Sequence, residues 1–167
     1  MQKVVHLFPL FEKIRFFIIA LLVLLIAACQ PAEPGQGIES EAFSAVRNND
    51  VAKLDRFLEG GLDPDAMNED GDSLLYVASG AKGGVEVAKL LVGAGSDLNL
   101  VSREGRTALH TAAAWCNADI VALLLDAGAR TDIMNSEGKT AMEVICLRPP
   151  QRRDQVLALF LKARPAS

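Results

Sequence analysis

The feature that most constrains the fold of this chain is a pattern of glycines that repeats three times. Gly71, Gly105 and Gly138 are separated by 34 and 33 residues. A second set follows the same two intervals: Gly61, Gly95 and Gly128. Self-similarity at this period is typical of solenoids, in which each repeat is one supersecondary unit and the units stack in a row. The pattern therefore predicts an extended surface rather than an enclosed reaction chamber.

The first 28 residues have the composition of an export signal. Lys3, Lys13 and Arg15 provide positive charge, and residues 16–28 form an unbroken apolar run of 13 residues. This run is shorter than the roughly 20 residues that a transmembrane helix needs, and it matches the apolar core of a signal peptide. We therefore expect residues 1–28 to be a signal peptide, and an uncleaved signal anchor is the alternative.

The apolar run ends in Ile26-Ala27-Ala28-Cys29, which resembles the lipobox of bacterial lipoprotein precursors. The resemblance implies cleavage before Cys29 and lipid on both its sulfur and its new amino group, which would anchor the chain stably to a membrane. Gln30 is a residue other than Asp, and by the same resemblance this favours the outer membrane. Residues 29–39 are predicted to be the lipidated Cys and a flexible tether, with the rest of the chain in the periplasm.

The charge of the chain argues against nucleic acid as a partner. The sequence carries 17 Lys and Arg against 21 Asp and Glu. Removal of residues 1–28 takes away three basic residues and one acidic residue, which leaves 14 against 20 and a net charge of −6. Nucleic-acid binding needs a basic surface instead. The acidic balance favours a basic protein partner.

One stretch of the repeat resembles a known family. Residues 105–112, Gly-Arg-Thr-Ala-Leu-His-Thr-Ala, are similar to the Gly-x-Thr-Pro-Leu-His-x-Ala opening of an ankyrin repeat, with Ala108 in place of the Pro. The stretches at 71–78 and 138–144 match less closely. The resemblance implies an all-α fold, an ankyrin-repeat solenoid of about four helix-turn-helix units joined by short hairpin loops. It covers about residues 40–163, in units of about 40–66, 67–100, 101–133 and 134–163.

The repeated residues have physical roles that fit such a fold. Ser73, Thr107 and Thr140 precede apolar runs and are predicted to cap the first helix of their unit by accepting a backbone N–H. After Pro149 and Pro150, residues 151–163 are predicted to form a capping helix, followed by a tail at 164–167. Apolar residues at helical spacing predict the core of the second helices: Val51, Leu54, Phe57, Leu58, Val87, Leu90, Leu91, Ile120, Leu123 and Leu124.

No group of residues in the sequence has the composition of an active site. The resemblance implies that His110 ties the hairpin to the helix, with Thr107 as its hydrogen-bonding companion. A general base would need an orienting partner and a nucleophile as well. Acidic residues cluster between Asp63 and Asp72, but the calcium-loop spacing is missing, and a solvated hairpin is the simpler interpretation. We expect no enzyme activity, no cofactor and no metal site.

Cys116 and Cys146 are the two thiols that remain after Cys29. Neighbouring helices of a stack can bring two such residues within disulfide reach, and an extracytoplasmic compartment is oxidising. Bridging needs Cα atoms within roughly 7 Å, however, whereas packed helices lie about 8–10 Å apart. A disulfide and a pair of buried apolar thiols therefore both stay open.

The resemblance also implies where a partner would bind. Partner contacts are expected at the hairpin tips and at the end of the first helix. Trp115 is the strongest candidate because Trp is over-represented at interface hot spots, and the alternative is a Trp packed against the neighbouring helix. The positions concerned are Glu69, Asp70, Asp72, Ala81, Arg103, Glu104, Arg106, Ala114, Trp115, Ser136, Glu137 and Lys139.

We interpret the chain as a monomeric, membrane-anchored periplasmic lipoprotein that binds a protein partner. Two roles are compatible with this interpretation: an immunity protein that blocks a toxin, or a scaffold in envelope and oxidative-stress defence. The alternative is a structural envelope-maintenance lipoprotein without a dedicated protein ligand.

Overall fold

A computed structural model describes residues 34–80, 84–147 and 149–163 of the protein. The predicted signal peptide, the lipidation site Cys29 and the tail at 164–167 lie outside these residues, and so does Ala81. From Ile38 onward the described chain belongs to one packed unit.

Helices alternate with turns throughout the described residues, which contain seven α-helices, one 3₁₀ helix and no strand. In chain order the helices are α1 (Pro34–Arg47), α2 (Val51–Glu59), α3 (Leu74–Ala78), α4 (Val85–Gly93), α5 (Ala108–Ala114), α6 (Ala118–Asp126), the 3₁₀ helix (Ala141–Val144) and α7 (Pro150–Ala163). Three helix pairs are followed by a fourth, unequal pair. The predicted all-α solenoid of about four units is confirmed.

Two boundaries differ from the prediction. Helix α1 begins at Pro34, inside residues 29–39, which were expected to be a flexible tether. The fourth unit does not open with an α-helix, because residues 141–144 form a single 3₁₀ turn. None of the helices in the described ranges is both long enough and apolar enough to cross a membrane.

The capping residues start the first helix of the second, third and fourth units. The Ser73 hydroxyl accepts the Tyr76 N–H at 3.2 Å, and the Thr107 hydroxyl accepts the His110 N–H at 3.4 Å. Thr140 forms a capping box in which the Glu143 carboxylate accepts both the N–H and the hydroxyl of Thr140, each at 2.8 Å. These bonds satisfy donors that would otherwise lack a partner at the helix start.

Gly105 shows why a repeated glycine is needed in a hairpin. Its φ angle is +70°, in the left-handed region that side chains disfavour. A Cβ atom there would lie 3.1 Å from the backbone nitrogen of Ser136 in the next hairpin. Gly105 therefore permits both the turn and the close approach of two consecutive units.

The core lies between two rows of helices. The second helices form one row, in which α2 packs on α4, α4 on α6 and α6 on α7, whereas α3, α5 and the 3₁₀ helix form the other. Of the predicted core positions, those fully buried are Leu54, Val87, Leu91, Ile120 and Leu124, and the other five are partly buried against them. Helix α1 adds Phe43 and Val46, and α7 closes the far end with Val156 and Phe160. The capping role predicted for the last helix agrees with this packing.

Candidate protein-binding surface

The hairpin residues predicted to contact a partner lie in three hairpins that are bonded to one another. The Arg103 guanidinium donates a hydrogen bond to the backbone carbonyl of Glu69, 34 residues earlier. The Ser136 N–H donates to the backbone carbonyl of Glu104 at 2.9 Å. The charged side chains of the hairpins therefore form one continuous row across three units.

Each hairpin is held by the same internal hydrogen bonds. One polar side chain accepts two backbone N–H groups of its own hairpin, at distances of 2.9 to 3.3 Å. These side chains are Asn68, Ser102 and Asn135. Because these bonds already order the hairpin backbone, little conformational entropy is lost when a partner binds the row of charged side chains.

The charges of the row differ between its two ends. In the first hairpin, burial raises the pKa of the Asp72 carboxyl, and repulsion from Asp70 and Glu104 raises it further, against the attraction of Arg103. In the third hairpin, Glu137 forms an ion pair with Lys139 at 2.8 Å, and the hydrogen bond from Lys139 lowers the pKa of Glu137. The uncompensated negative charge therefore lies at the first hairpin.

Trp115 lies at the end of α5 that is remote from the hairpins, and its residue is 58% exposed. Seven helical residues span about 10 Å, so this end of the helix is well separated from the hairpin at its start. Ala114 beside it is half-buried. The predicted partner-contacting residues therefore fall into two groups, the hairpin row and the Trp115 end of α5.

Trp115 lines a cleft of about 500 Å³ together with residues that the sequence analysis did not select. Arg152 and Gln155 come from α7, and Asn117 and Asp119 come from the start of α6. The sequence indicated α7 as a cap but contained no signal that its polar face meets the α5–α6 turn. The cleft therefore has one side in the third unit and the other in the capping helix, and Gly80 of the second unit also lines it.

A disulfide joins Cys116 to Cys146, with Cα atoms 5.6 Å apart. The residue before Cys116 and the residue after Cys146 are both apolar and exposed: Trp115 is 58% exposed and Leu147 is 80% exposed. Since consecutive Cα atoms are about 3.8 Å apart, the Cα atoms of Trp115 and Leu147 lie within roughly 13 Å of each other. The disulfide thus lies between two exposed apolar side chains from consecutive units.

A row of exposed apolar residues follows the hairpins and was missed by the sequence analysis. Met67, Val101 and Met134 are 43%, 45% and 63% exposed. They are separated by 34 and 33 residues, as the hairpin glycines are. That shared interval was the signal that could have identified them. Each begins a hairpin whose tip carries charge, so apolar and charged positions alternate along this face.

His110 is a structural residue. Its Nδ1 accepts the Thr107 N–H at 3.2 Å, and its Nε2 lies 3.1 Å from the Lys139 carbonyl, to which it donates. Burial lowers the pKa of His110, which keeps the ring neutral in this arrangement. Within the described ranges, no group of three or more His, Cys, Asp or Glu side chains is placed to hold a metal ion.

Stacked helix pairs that carry bonded hairpins on one side define a helical repeat protein of the solenoid class. The family of ankyrin repeats (3 copies) matches residues 42–135 and again residues 75–164. These matches cover more than half of the chain, so the protein belongs to the ankyrin-repeat family. Members of this family generally serve as protein-interaction modules rather than as enzymes.

Two relatives match part of the repeat region. The ankyrin repeat protein FPV222 of fowlpox virus is 31% identical over 74 residues, which is 44% of this chain and 10% of the relative. SH3 and multiple ankyrin repeat domains protein 1 of Homo sapiens is 40% identical over 62 residues, which is 36% of this chain and 3% of the relative. The chain therefore spans a tenth or less of the length of either relative, and the similarity concerns the repeats.

Proposed function

We propose that the protein is a lipid-anchored binding module of the bacterial cell envelope, which holds a protein partner on the periplasmic side. The observation that carries the proposal is the exposed Trp115, which lines the cleft between the third unit and α7. Trp is over-represented at interface hot spots, where its truncation often weakens binding by about 2 kcal/mol or more. The ankyrin-repeat family supports a protein as the ligand.

Two features support a location outside the cytoplasm. Disulfides persist in oxidising compartments and are rare in the cytosol, and Cys116 is bonded to Cys146. The Ile26-Ala27-Ala28-Cys29 motif, which resembles a lipobox, supports an anchor at Cys29. In this proposal the chain is a monomer whose lipid lies in the outer membrane.

The charge of the first hairpin supports a partner with a basic surface. Asp70 and Asp72 lie beside Glu104 of the next hairpin, and their mutual repulsion would be relieved by a cation from the partner. A basic toxin, for which this protein would provide immunity, fits that charge. An envelope scaffold that holds a basic stress-response protein fits it as well.

Capture from cross-linked cells tests the binding proposal. Full-length protein is extracted in detergent, and co-purifying proteins are quantified for the wild type, Trp115→Ala and the control Leu161→Ala. Leu161 is 54% exposed, so the control removes a similarly accessible apolar side chain on α7. We expect one stoichiometric partner that Trp115→Ala loses and Leu161→Ala retains. No partner with any variant, together with a leaky envelope on deletion, would instead support a structural lipoprotein without a dedicated ligand.

Labelling tests the anchor separately. Cells are fed a clickable fatty acid, and the protein is compared with its Cys29→Ser variant. We expect label in the outer-membrane fraction for the wild type and none for the variant. Equal labelling of both would contradict the assignment of Cys29.

A further inference from the structure

Two bonds join the third unit to the fourth at one place. The disulfide connects Cys116, directly after α5 and Trp115, to Cys146, directly after the 3₁₀ helix and Ile145. At the same place the Cys146 N–H donates to the backbone carbonyl of Ala113 at 3.1 Å. The segment that leads into α7 is therefore fastened to the end of α5.

The fourth unit is built differently from the inner units. Its first helix is a four-residue 3₁₀ turn in which Ala141 is the buried residue. In α7, a helix of 14 residues, the fully buried side chains are Val156 and Phe160. A terminal unit also packs against one neighbour instead of two. The fourth unit is therefore held to the rest of the stack from one side alone, by the packing of α7 on α6 and of the 3₁₀ helix on α5, and by the disulfide.

The backbone at Cys116 points to the same conclusion. Its φ angle is +52°, in the left-handed region where residues other than Gly, Asn and Asp are strained. The equivalent residue of the first unit, directly before the capping residue of α2, is Asn49 with a φ of +53°. Asn adopts this conformation at a lower cost than Cys does, so the choice of Cys is explained by its bond rather than by its backbone.

The cleft beside Trp115 spans the same junction. Trp115 and Cys116 line it from the third unit, and Arg152 and Gln155 line it from α7. If α7 moved away from α6, the cleft would lose one side and α6 would lose one of its packing partners. The cleft is therefore complete only while α7 is docked on α6.

We propose that the Cys116–Cys146 disulfide is a redox switch for the capping unit: in the oxidised chain α7 is docked and the cleft is complete, and reduction by a dithiol releases both. Of the two cysteines, Cys146 is the more exposed residue: it is half-buried, whereas Cys116 is 5% exposed. Control of partner binding by the switch rests on the proposed function. Release of α7 on reduction does not depend on it.

The reduction is an ordinary thiol–disulfide exchange. A thiolate of the dithiol attacks the sulfur of Cys146, the S–S bond breaks, and the Cys116 sulfur leaves as a thiolate and takes up a proton. The second thiol of the reductant then attacks the mixed disulfide and frees the Cys146 thiol. Two electrons and two protons pass from the dithiol, which ends as a disulfide.

The test uses the full chain in detergent with Cys29→Ser, so that the two cysteines of the switch are the remaining thiols. Amide hydrogen exchange of residues 150–163 and the fluorescence of Trp115, the one Trp of the sequence, are measured with and without dithiothreitol. On reduction we expect exchange to accelerate on the order of a hundredfold, because opening of the fourth unit as a whole then also frees the loop that the crosslink closes. We also expect brighter Trp emission, because disulfides quench indole fluorescence.

Two further variants separate the bond from the backbone strain. Cys146→Ala removes the bond and keeps a non-glycine residue at position 116, whereas Cys116→Gly removes both the bond and the strain. We expect fast exchange in both, with no response to dithiothreitol. Unchanged protection of α7 in the reduced chain, or oxidised-like protection in Cys116→Gly, would overturn the proposal.

Binding measurements distinguish this inference from the proposed function. If α7 opens on reduction but no Trp115-dependent partner exists, the proposed function fails and the switch of the cap stands. If a partner binds both redox forms equally while α7 opens, the control of binding is overturned. We expect binding to weaken by more than tenfold on reduction.

Discussion

His110 Nε2 lies 3.1 Å from the backbone carbonyl oxygen of Lys139, which is 29 residues further along the chain and belongs to the next hairpin. Because Nδ1 of the same ring accepts the Thr107 N–H, the neutral ring satisfies a donor in its own unit and an acceptor in the next. A protonated ring would still donate from Nε2 but could no longer accept from Thr107. The junction between the third and fourth units therefore favours the neutral imidazole.

The first prediction concerns pH. Burial lowers the pKa of His110 below its ordinary value of 6.5, so the unfolded chain binds this proton more readily than the folded chain does. The contribution to stability is complete above pH 6.5 and is lost as the pH falls below it, with a slope of up to about 1.4 kcal/mol per pH unit. Urea unfolding between pH 7.5 and 5.5 measures this loss. The His110→Asn variant should be less stable, and its free energy of unfolding should depend little on pH in that window. If the free energy of unfolding changed equally with pH in both proteins, the assignment to His110 would be refuted.

The second prediction concerns hairpin packing. Gly105→Ala and Gly138→Ala place a side chain at φ angles of +70° and +71°, so both should lose about 1 kcal/mol through backbone strain. A Cβ at Gly105 also approaches the backbone of Asn135 and Ser136, whereas one at Gly138 has nothing within 4 Å. Gly105→Ala should therefore cost at least 1 kcal/mol more, as measured by denaturant unfolding. Equal losses would mean that the hairpins separate at little cost.

The third prediction concerns Asp72. Its raised pKa means that the ionised form is disfavoured in the folded chain, chiefly by burial and then by Asp70 and Glu104. Asp72→Asn should therefore stabilise the protein at pH 7 by a few tenths of a kcal/mol, since the site is partly solvated. The gain should disappear below pH 3.8, where the wild-type carboxyl is protonated in both states. Asp55→Asn, on the exposed side of α2, is the control and should change little.

The fourth prediction concerns the apolar hairpin row. Met134 is 63% exposed, so Met134→Ala should change the unfolding free energy by less than about 0.5 kcal/mol. If the partner covers the hairpins, its affinity should fall by about tenfold, as measured by calorimetry with the captured partner. Met142→Ala, at 37% exposure in the 3₁₀ helix, is the matched control. Loss of affinity in Trp115→Ala but not in Met134→Ala would restrict the binding surface to the cleft.

The fold could be predicted from the sequence because each unit of a solenoid needs the same kinds of residue at the same positions. The same hairpin glycine, capping hydroxyl and apolar spacing occur in several units, so each unit supports the interpretation of the others. Leu54, Val87 and Leu124 follow from helical spacing alone. The exception is the 3₁₀ helix at residues 141–144, because its length depends on how the segment packs against α5.

The candidate site was less predictable, because its geometry depends on how consecutive units face each other. That Arg103 bonds to the backbone of Glu69 follows from the register between two hairpins, which no local pattern encodes. The approach of Cys116 to Cys146 depends on a left-handed turn at Cys116, where the residue type predicts none. Arg152 and Gln155 reach the cleft because α7 docks on α6, and a helical pattern does not say where its polar face points.

The row of second helices, in which each helix packs on the next, makes the length of this protein adjustable. Duplication or loss of a whole inner unit would create no new kind of contact, because the incoming unit presents the same faces as the one it joins. The cysteine bridge lies between the last two units and would be untouched by growth nearer the start of the chain. The binding face could in this way become longer or shorter during evolution while the Cys116–Cys146 bridge between the last two units is kept.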